Sequence, residues 1–280
     1  MHAAYLRPAT LEEALEALAA RPLTVLAGGT DHYPARVGRD AVEDILDLTA
    51  LASLKGISRT HAGWRIGAAT SWTEIIEARL PPLFDALKLA AREVGGVQIQ
   101  NAGTVAGNVC NASPAADGVP ALLVLDASVE LASRRGSRLV PLEDFIVGPR
   151  KTARAADELV TAVLVPAPRH DARSHFLKLG ARKYLVISIA MVAIVVELEE
   201  RTVRAARIAV GACSPVARRL RSLEKELEGR ALDDKLAELV RPEHVAALQP
   251  IEDVRSSADY RRHAATVLVR RSLQSLAGRG

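Results

Sequence analysis

The stretch 97–126, VQIQNAGTVAGNVCNASPAADGVPALLVLD, limits what this chain can fold into more than any other. Gly103, Gly107, Asn108, Asn111, Ser113 and Pro114 crowd together in it, and residues of these types favour exposed or unusual backbone conformations. Their density predicts a loop rather than a helix or a buried strand. Glycine also lets a bulky ligand approach the main chain and leaves N–H groups free to donate to an anion. Thr104, Asn108, Asn111 and Ser113 add polar side chains of little bulk. The apolar run 120–125 follows at once, so the loop leads into a buried element. Such a loop suits a ligand that bears phosphate.

A second segment of the same character lies upstream. The short apolar run 23–26 ends at Ala27-Gly28-Gly29-Thr30-Asp31, a strand followed by a Gly-Gly turn with a hydroxyl and a carboxylate beside it. Taken alone, a Gly pair reads as an ordinary tight turn between elements. Two such segments, one carrying four amide or hydroxyl side chains beside its glycines, favour a diphosphate ligand held between them.

These segments belong to an ordered set. AGGTD at 27–31 is followed by QIQNAGTVAGNVCNASPAAD at 98–117, GPRKT at 148–152, ELVTAVLVP at 158–166 and FLKLGARKYLVISIAMVA at 176–193. In these motifs, their order and their spacing, the chain resembles the FAD-binding (medium) subunit of molybdenum hydroxylases of the xanthine dehydrogenase and carbon monoxide dehydrogenase family. The likeness covers nearly the whole chain. It implies an α+β fold that opens with a two-subdomain FAD-binding module of the PCMH, or vanillyl-alcohol-oxidase-like, type. That module would span 1–168, with subdomains at about 1–55 and 56–168. A small α/β C-terminal domain, a three-stranded sheet with helices, would follow over 169–280.

The resemblance also implies roles for particular residues. The backbone around Ala27, Gly28, Gly29, Thr30 and Asp31 is expected to hold the FAD pyrophosphate. His32 and Tyr33 stand where the family has an aliphatic pair. His32 reads as a structural neighbour of the loop, with proton donor as the alternative. Thr104, Ala106, Gly107 and Asn108 are expected at the ribityl–diphosphate region. Asn111 and Asp117 match cofactor contacts, Asp117 through ribose or ribityl hydroxyls. The family pattern TxGGN is here Thr104-Val105-Ala106-Gly107-Asn108. Ala106 in place of Gly requires a negative φ and no cofactor atom where its methyl lies. Val94 and Val160 match residues beside the flavin ring. Lys178 matches a residue close to the flavin, where a cation favours the reduced ring; the alternative is a strand lysine facing water. No catalytic side chain and no metal ligand is assigned to this chain.

For function, the resemblance implies an oxidoreductase subunit that carries FAD. Electrons would come from a large molybdopterin-binding subunit through two [2Fe–2S] clusters on a small subunit, and leave to an external acceptor. The expected assembly is a dimer of heterotrimers. The alternative is a stand-alone FAD-dependent oxidoreductase of the same fold, whose substrate-capping domain usually brings a conspicuous acid, Tyr or Ser to the flavin. A third reading is a scaffold subunit that has lost FAD.

Composition narrows the field further. At 280 residues, 49% apolar and 25% charged, the chain can bury a substantial core. Cys110 and Cys213 are its only cysteines, without a CxxC pair, so it cannot supply four thiolates to an iron–sulfur cluster. Cys110 reads as a small packed thiol. No stretch is apolar for long enough to span a bilayer, and no signal peptide is evident at the start, so the expected location is cytoplasmic. Residues 201–280 hold 16 Lys/Arg against 10 Asp/Glu. With acids interspersed and no aromatic interleaving, this reads as solvated or subunit-facing helix surface, not a nucleic-acid face.

Periodicity predicts helices over 11–20, 83–94, 220–227, 232–239 and 260–276, and another carrying Ile75 and Ile76 that Ser71 or Thr73 caps. Strands are expected at 23–26, 45–48, 64–68, 158–165, 175–183 and 205–211, with a hairpin through Arg135-Gly136. The run 186–198 reads as a helix start followed by a strand. PAPRHDAR at 166–173 reads as the linker between domains.

Overall fold

The structure is a computed structural model, and it describes residues 3–38, 43–182 and 186–278. Helix Leu11–Ala20 starts at Thr10, whose hydroxyl accepts from the Glu13 N–H while the Glu13 carboxylate accepts from the Ala9 and Thr10 N–H groups. Its buried Ala14 and Leu18 share a core with Leu46 of a three-stranded parallel sheet, in the order Tyr5–Leu6, Ile45–Asp47, Thr24–Leu26. The same core takes in Leu54, Ala69 and Leu159, so this first unit is joined to the next by apolar contact.

The second unit is a five-stranded antiparallel sheet ordered Ile57–Thr60, Gly63–Gly67, Leu159–Pro166, Ser128–Ser133, Gly136–Pro141. The hairpin through Arg135-Gly136 is the expected one, with Gly136 at φ +123°. Five helices run between Gly63–Gly67 and Ser128–Ser133: Trp72–Glu77, Asp85–Glu93, Val97–Ala102, Val105–Asn111 and Gly118–Val124. Ser71 caps the first of them in a second reciprocal box with Glu74. The last is buried at every residue.

The third unit is an antiparallel sheet of Asp171–Leu179, Ala190–Glu199 and Thr202–Gly211, with the two-residue Arg218–Arg219 added at one edge. Met191, Ala193 and Val195 face the core of the second unit, while Ala190, Val192, Ile194 and Val196 face the long helix Ala258–Ala277. Among the described residues no helix is long and apolar enough to cross a membrane.

Several expectations need correction. The stretch predicted as a loop is mostly two short helices, Val97–Ala102 and Val105–Asn111, because tertiary partners hold glycine and asparagine in helical geometry. The run 186–198 holds no helix: Ala190–Glu199 is one strand buried on both faces, which hides the alternation that marks a half-buried strand. The linker is shorter than read, since pairing with Ala190–Glu199 already begins at Asp171. That strand ends at Leu179; Lys183, its expected end, lies outside the described residues. Residues 232–239 form the 3-10 helix Asp234–Leu239.

Candidate functional site

The two glycine bends meet. A Cβ on Gly28 would stand 1.9 Å from the carbonyl oxygen of Ala102, and one on Gly103 would lie 3.5 Å from Thr30 Oγ1. Beside this junction opens a cavity of about 1210 Å³, above the usual range for small-ligand sites. Ala27, Gly28, Gly29, Thr30, Asp31, His32, Val94, Thr104, Ala106, Gly107, Asn108, Asn111, Asp117 and Val160 all line it. Lys178 does not; it stands behind the wall, on Asp117.

The 27–31 bend is shaped by close backbone contact. Gly28 is glycine because the Ala102–Gly103 backbone leaves no room for a methyl group, a protein contact and not the ligand approach that its sequence suggested. Gly29 sits at φ +67°, with the Tyr33 ring where its Cβ would go. Among the described residues the N–H groups of Gly28, Gly29, Thr30, Asp31 and His32 find no protein acceptor, so five successive backbone donors stand at the cavity. His32 lines the cavity and meets Tyr33 edge-on, ring centroids 5.2 Å apart.

The 104–111 segment works the other way. Val105 N donates to Thr70 O, Ala106 N to Ala68 O, Gly107 N to Thr104 Oγ1 and Asn108 N to Thr104 O, at 3.0 to 3.2 Å. The expectation that this segment leaves N–H groups free for an anion is therefore wrong: the helix start spends all four on the protein. Ala106 is helical and outside the left-handed region, as its side chain requires. Asn108 lines the cavity, while its Oδ1 is buried without a hydrogen-bond partner on the side of Gly118. The Asn111 amide oxygen accepts from the Arg150 guanidinium, and Arg150 N donates to Ala112 O at 2.9 Å.

Asp117 lines the cavity and is also held by the third unit. Its carboxylate, at the head of Gly118–Val124, takes Lys178 Nζ at 2.7 Å on one oxygen and Ser188 Oγ at 2.7 Å on the other. Lys178 also donates to Glu93 O at 3.0 Å, just before Val94. Burial pushes the Asp117 carboxyl above its ordinary value against the pull of Lys178 and Ser188. Each carboxylate oxygen thus already accepts one hydrogen bond from the third unit, while Asp117 also lines the cavity. Lys178 faces neither water nor the open cavity; its side chain is only 6% exposed. Val160 lies at a bulge where the pairing with Ser128–Ser133 slips between Val160 and Ala162, and it lines the cavity.

Residues that no role was given to also line the cavity: Trp72, Arg150, Thr152, Arg154, Val186 and Ile187. GPRKT contains two of them, but nothing in its composition tells which way a side chain points. Arg150 takes φ +58°, a rare conformation for arginine, and its guanidinium reaches across to Asn111. Cys110 lines the cavity as well, its thiol pushed up to about 11 by burial, so it is an inert neighbour. Among the described residues no group of three or more His, Cys, Asp or Glu is placed to hold a metal ion.

The family model described as "FAD binding domain in molybdopterin dehydrogenase" matches residues 1–168, and the one described as "CO dehydrogenase flavoprotein C-terminal domain" matches 175–276. The chain belongs to this flavoprotein family. The xanthine dehydrogenase FAD-binding subunit of Escherichia coli O157:H7 is 33% identical over 93% of this chain and 91% of its own length. The glyceraldehyde dehydrogenase medium chain of Sulfolobus acidocaldarius is 31% identical over 98% of both chains. Reconstituted CO dehydrogenase from Oligotropha carboxidovorans superposes with a TM-score of 0.87 at 28% identity, over 100% of this chain and 99% of that one. This flavoprotein is thus a two-domain FAD-binding module with a C-terminal domain, and a medium subunit of the molybdenum-hydroxylase type.

Proposed function

We propose that the chain carries FAD in the cavity at the junction of its two bends, and that within a heteromeric molybdenum hydroxylase it links iron–sulfur clusters on a small partner to an external acceptor. The observation that carries the reading is the meeting of the AGGTD backbone with Ala102–Gly103 beside that one cavity. The residues present fit FAD. The backbone N–H groups of Gly28 to His32, without a protein acceptor among the described residues, suit a diphosphate.

In this reading Gly28 to His32 hold the phosphates, with Ala27 as the hinge out of Thr24–Leu26. Thr104 keeps the helix start closed, and Ala106, Gly107 and Asn108 line the diphosphate–polyol side. Val94 and Val160 flank the ring. Asn111 sets Arg150, and Asp117 with Lys178 and Ser188 fixes the wall between the domains. FAD, when bound, supplies electron exchange at its ring; the chain orients it and excludes water. The substrate's oxidation belongs to the large molybdopterin-binding partner, within a dimer of heterotrimers in the cytoplasm.

Co-expression with the neighbouring genes and purification through a tag on this chain tests the proposal. The expected product is yellow, with a flavin spectrum, a larger molybdopterin-bearing chain and a smaller one carrying eight cluster cysteines. A colourless chain that refuses added FAD would overturn the cofactor assignment. A lone chain with full substrate turnover would replace the subunit reading by that of a stand-alone flavoenzyme.

A further inference from the structure

A guanidinium buried in the C-terminal helix bonds to the chain just after the cavity-lining Val186 and Ile187 and to the turn that meets Pro114. Arg261, in Ala258–Ala277, is 2% exposed. One of its nitrogens donates to Ile189 O at 2.7 Å and to Ala212 O at 3.2 Å, and the other to Asp253 Oδ1 at 2.8 Å. Burying this charge is costly, and its Nε still has no acceptor, so apolar packing alone does not explain the residue.

What it holds does explain it. Ile189 follows Ser188, which donates to Asp117, and that in turn follows Val186 and Ile187, both cavity-lining. Ala212 sits at φ +61°, and its N–H donates to Pro114 O at 3.0 Å, between the cavity-lining Ser113 and Ala115. One planar fork therefore pins the chain entering Ala190–Glu199 and the chain leaving Thr202–Gly211, each a residue or two from the cavity wall. A lysine could keep the charge but could not span both carbonyls and Asp253 in one plane.

We infer that Arg261 is a positioning residue of the cofactor cavity: through the Ile189 and Ala212 carbonyls it sets the wall formed by 186–188 and 113–115. This rests on the assignment of FAD to that cavity. Arg261 touches no part of the cavity itself.

The test compares Arg261→Lys and Arg261→Met with Arg270→Met. Arg270 lies on the same helix but, among the described residues, donates only to Val240 O, away from the cavity. FAD titration, the absorption spectrum of the bound flavin and amide hydrogen exchange are measured well below the melting temperature of each variant. Both Arg261 variants should weaken FAD by about 2- to 30-fold, alter the fine structure of the flavin band and speed exchange at the Ile189 and Ala212 amides. Arg270→Met should leave all three as in the wild type. Should Arg261→Met not fold, Arg261→Lys and Asp253→Asn, which frees the fork from its anchor, carry the comparison. Wild-type affinity, spectrum and exchange in the Arg261 variants would overturn the inference, and so would equal losses in Arg270→Met. A wild-type chain that binds no FAD strikes the functional reading, while exchange at Ile189 and Ala212 still decides whether Arg261 sets the wall.

Discussion

A methyl group on Gly28 would be driven into the Ala102 carbonyl at 1.9 Å, so the two bends can meet only while that position is bare. Gly28→Ala should cost about 1–3 kcal/mol, the range for overpacking, and should lower the flavin content of the purified protein because it parts the bends. Thermal melting and the ratio of flavin to protein absorbance check this; wild-type values in both would mean that the junction does not matter. Glu158 offers a second residue-scale prediction. The Arg138 guanidinium beside its largely buried carboxylate, with the Ala155 N–H, holds it at about 2. Because the folded-state value lies below the unfolded one, the contribution is fully present above about 4.5 and is lost as pH falls toward 2. Glu158→Gln should therefore lower stability at pH 7 and flatten its decline between pH 4.5 and 2. Denaturation midpoints across that range show whether it does. At this scale the sequence was a good guide to which residues line the cavity and a poor one to how they act. The carboxylate of Asp117 and the amine of Lys178 were legible as polar groups near a ligand, but not as partners of each other from separate units.

The helix Gly118–Val124 is gripped at both ends by the third unit. At its start, Lys178 and Ser188 hold Asp117; past its end, Arg207 donates to Val124 O at 2.7 Å and Arg219 reaches Asp126 at 2.9 Å. Arg219 is itself buried against Glu224 at 2.6 Å, with side chains 4% and 7% exposed. Arg219→Met would strip the buried Glu224 of its two-bond partner, leaving the Ile208 N–H at 2.9 Å and Arg221 at 3.9 Å, and should cost about 3–5 kcal/mol. Adding Glu224→Met should restore part of that loss by removing the buried carboxylate, although the Ile208 N–H then loses its acceptor. Urea unfolding of the single and double variants measures both, and a double variant no better than the single one would show that the pair is not the source. Elements with local signals were legible: Thr10 and Ser71 each open a helix with a glutamate three residues on. Val105–Asn111 has the Thr104 cap but no glutamate three residues on. Its helical state depends on Thr70 O and Ala68 O, carbonyls contributed by chain more than thirty residues away. Ala190–Glu199 was obscured for a related reason, because two different cores claim its alternate residues.

The cavity draws walls from every unit: 23–36 from the first, 94–117 and 150–160 from the second, and Val186 and Ile187 from the third. The third sheet also lends Ala172, Phe176, Met191, Ala193, Val195 and Ala209 to the same core that buries Gly118–Val124. A ligand seated there contacts residues that would separate if any one unit unfolded. It must therefore stabilise the arrangement of the units as well as the unit that grips its phosphates. Ligand bound only to the folded state adds about 2.7 kcal/mol at a hundredfold excess over its dissociation constant. If the units act as one, calorimetry with and without FAD should give a single transition that moves to higher temperature as a whole. If instead the third unit merely sits beside the cofactor, its own transition would stay fixed while the other moves, and the shared cavity wall would carry no coupling. Arg207→Gln sharpens the comparison: by loosening the far end of Gly118–Val124 it should split the scan into two transitions in the apo protein, and FAD should draw them back together.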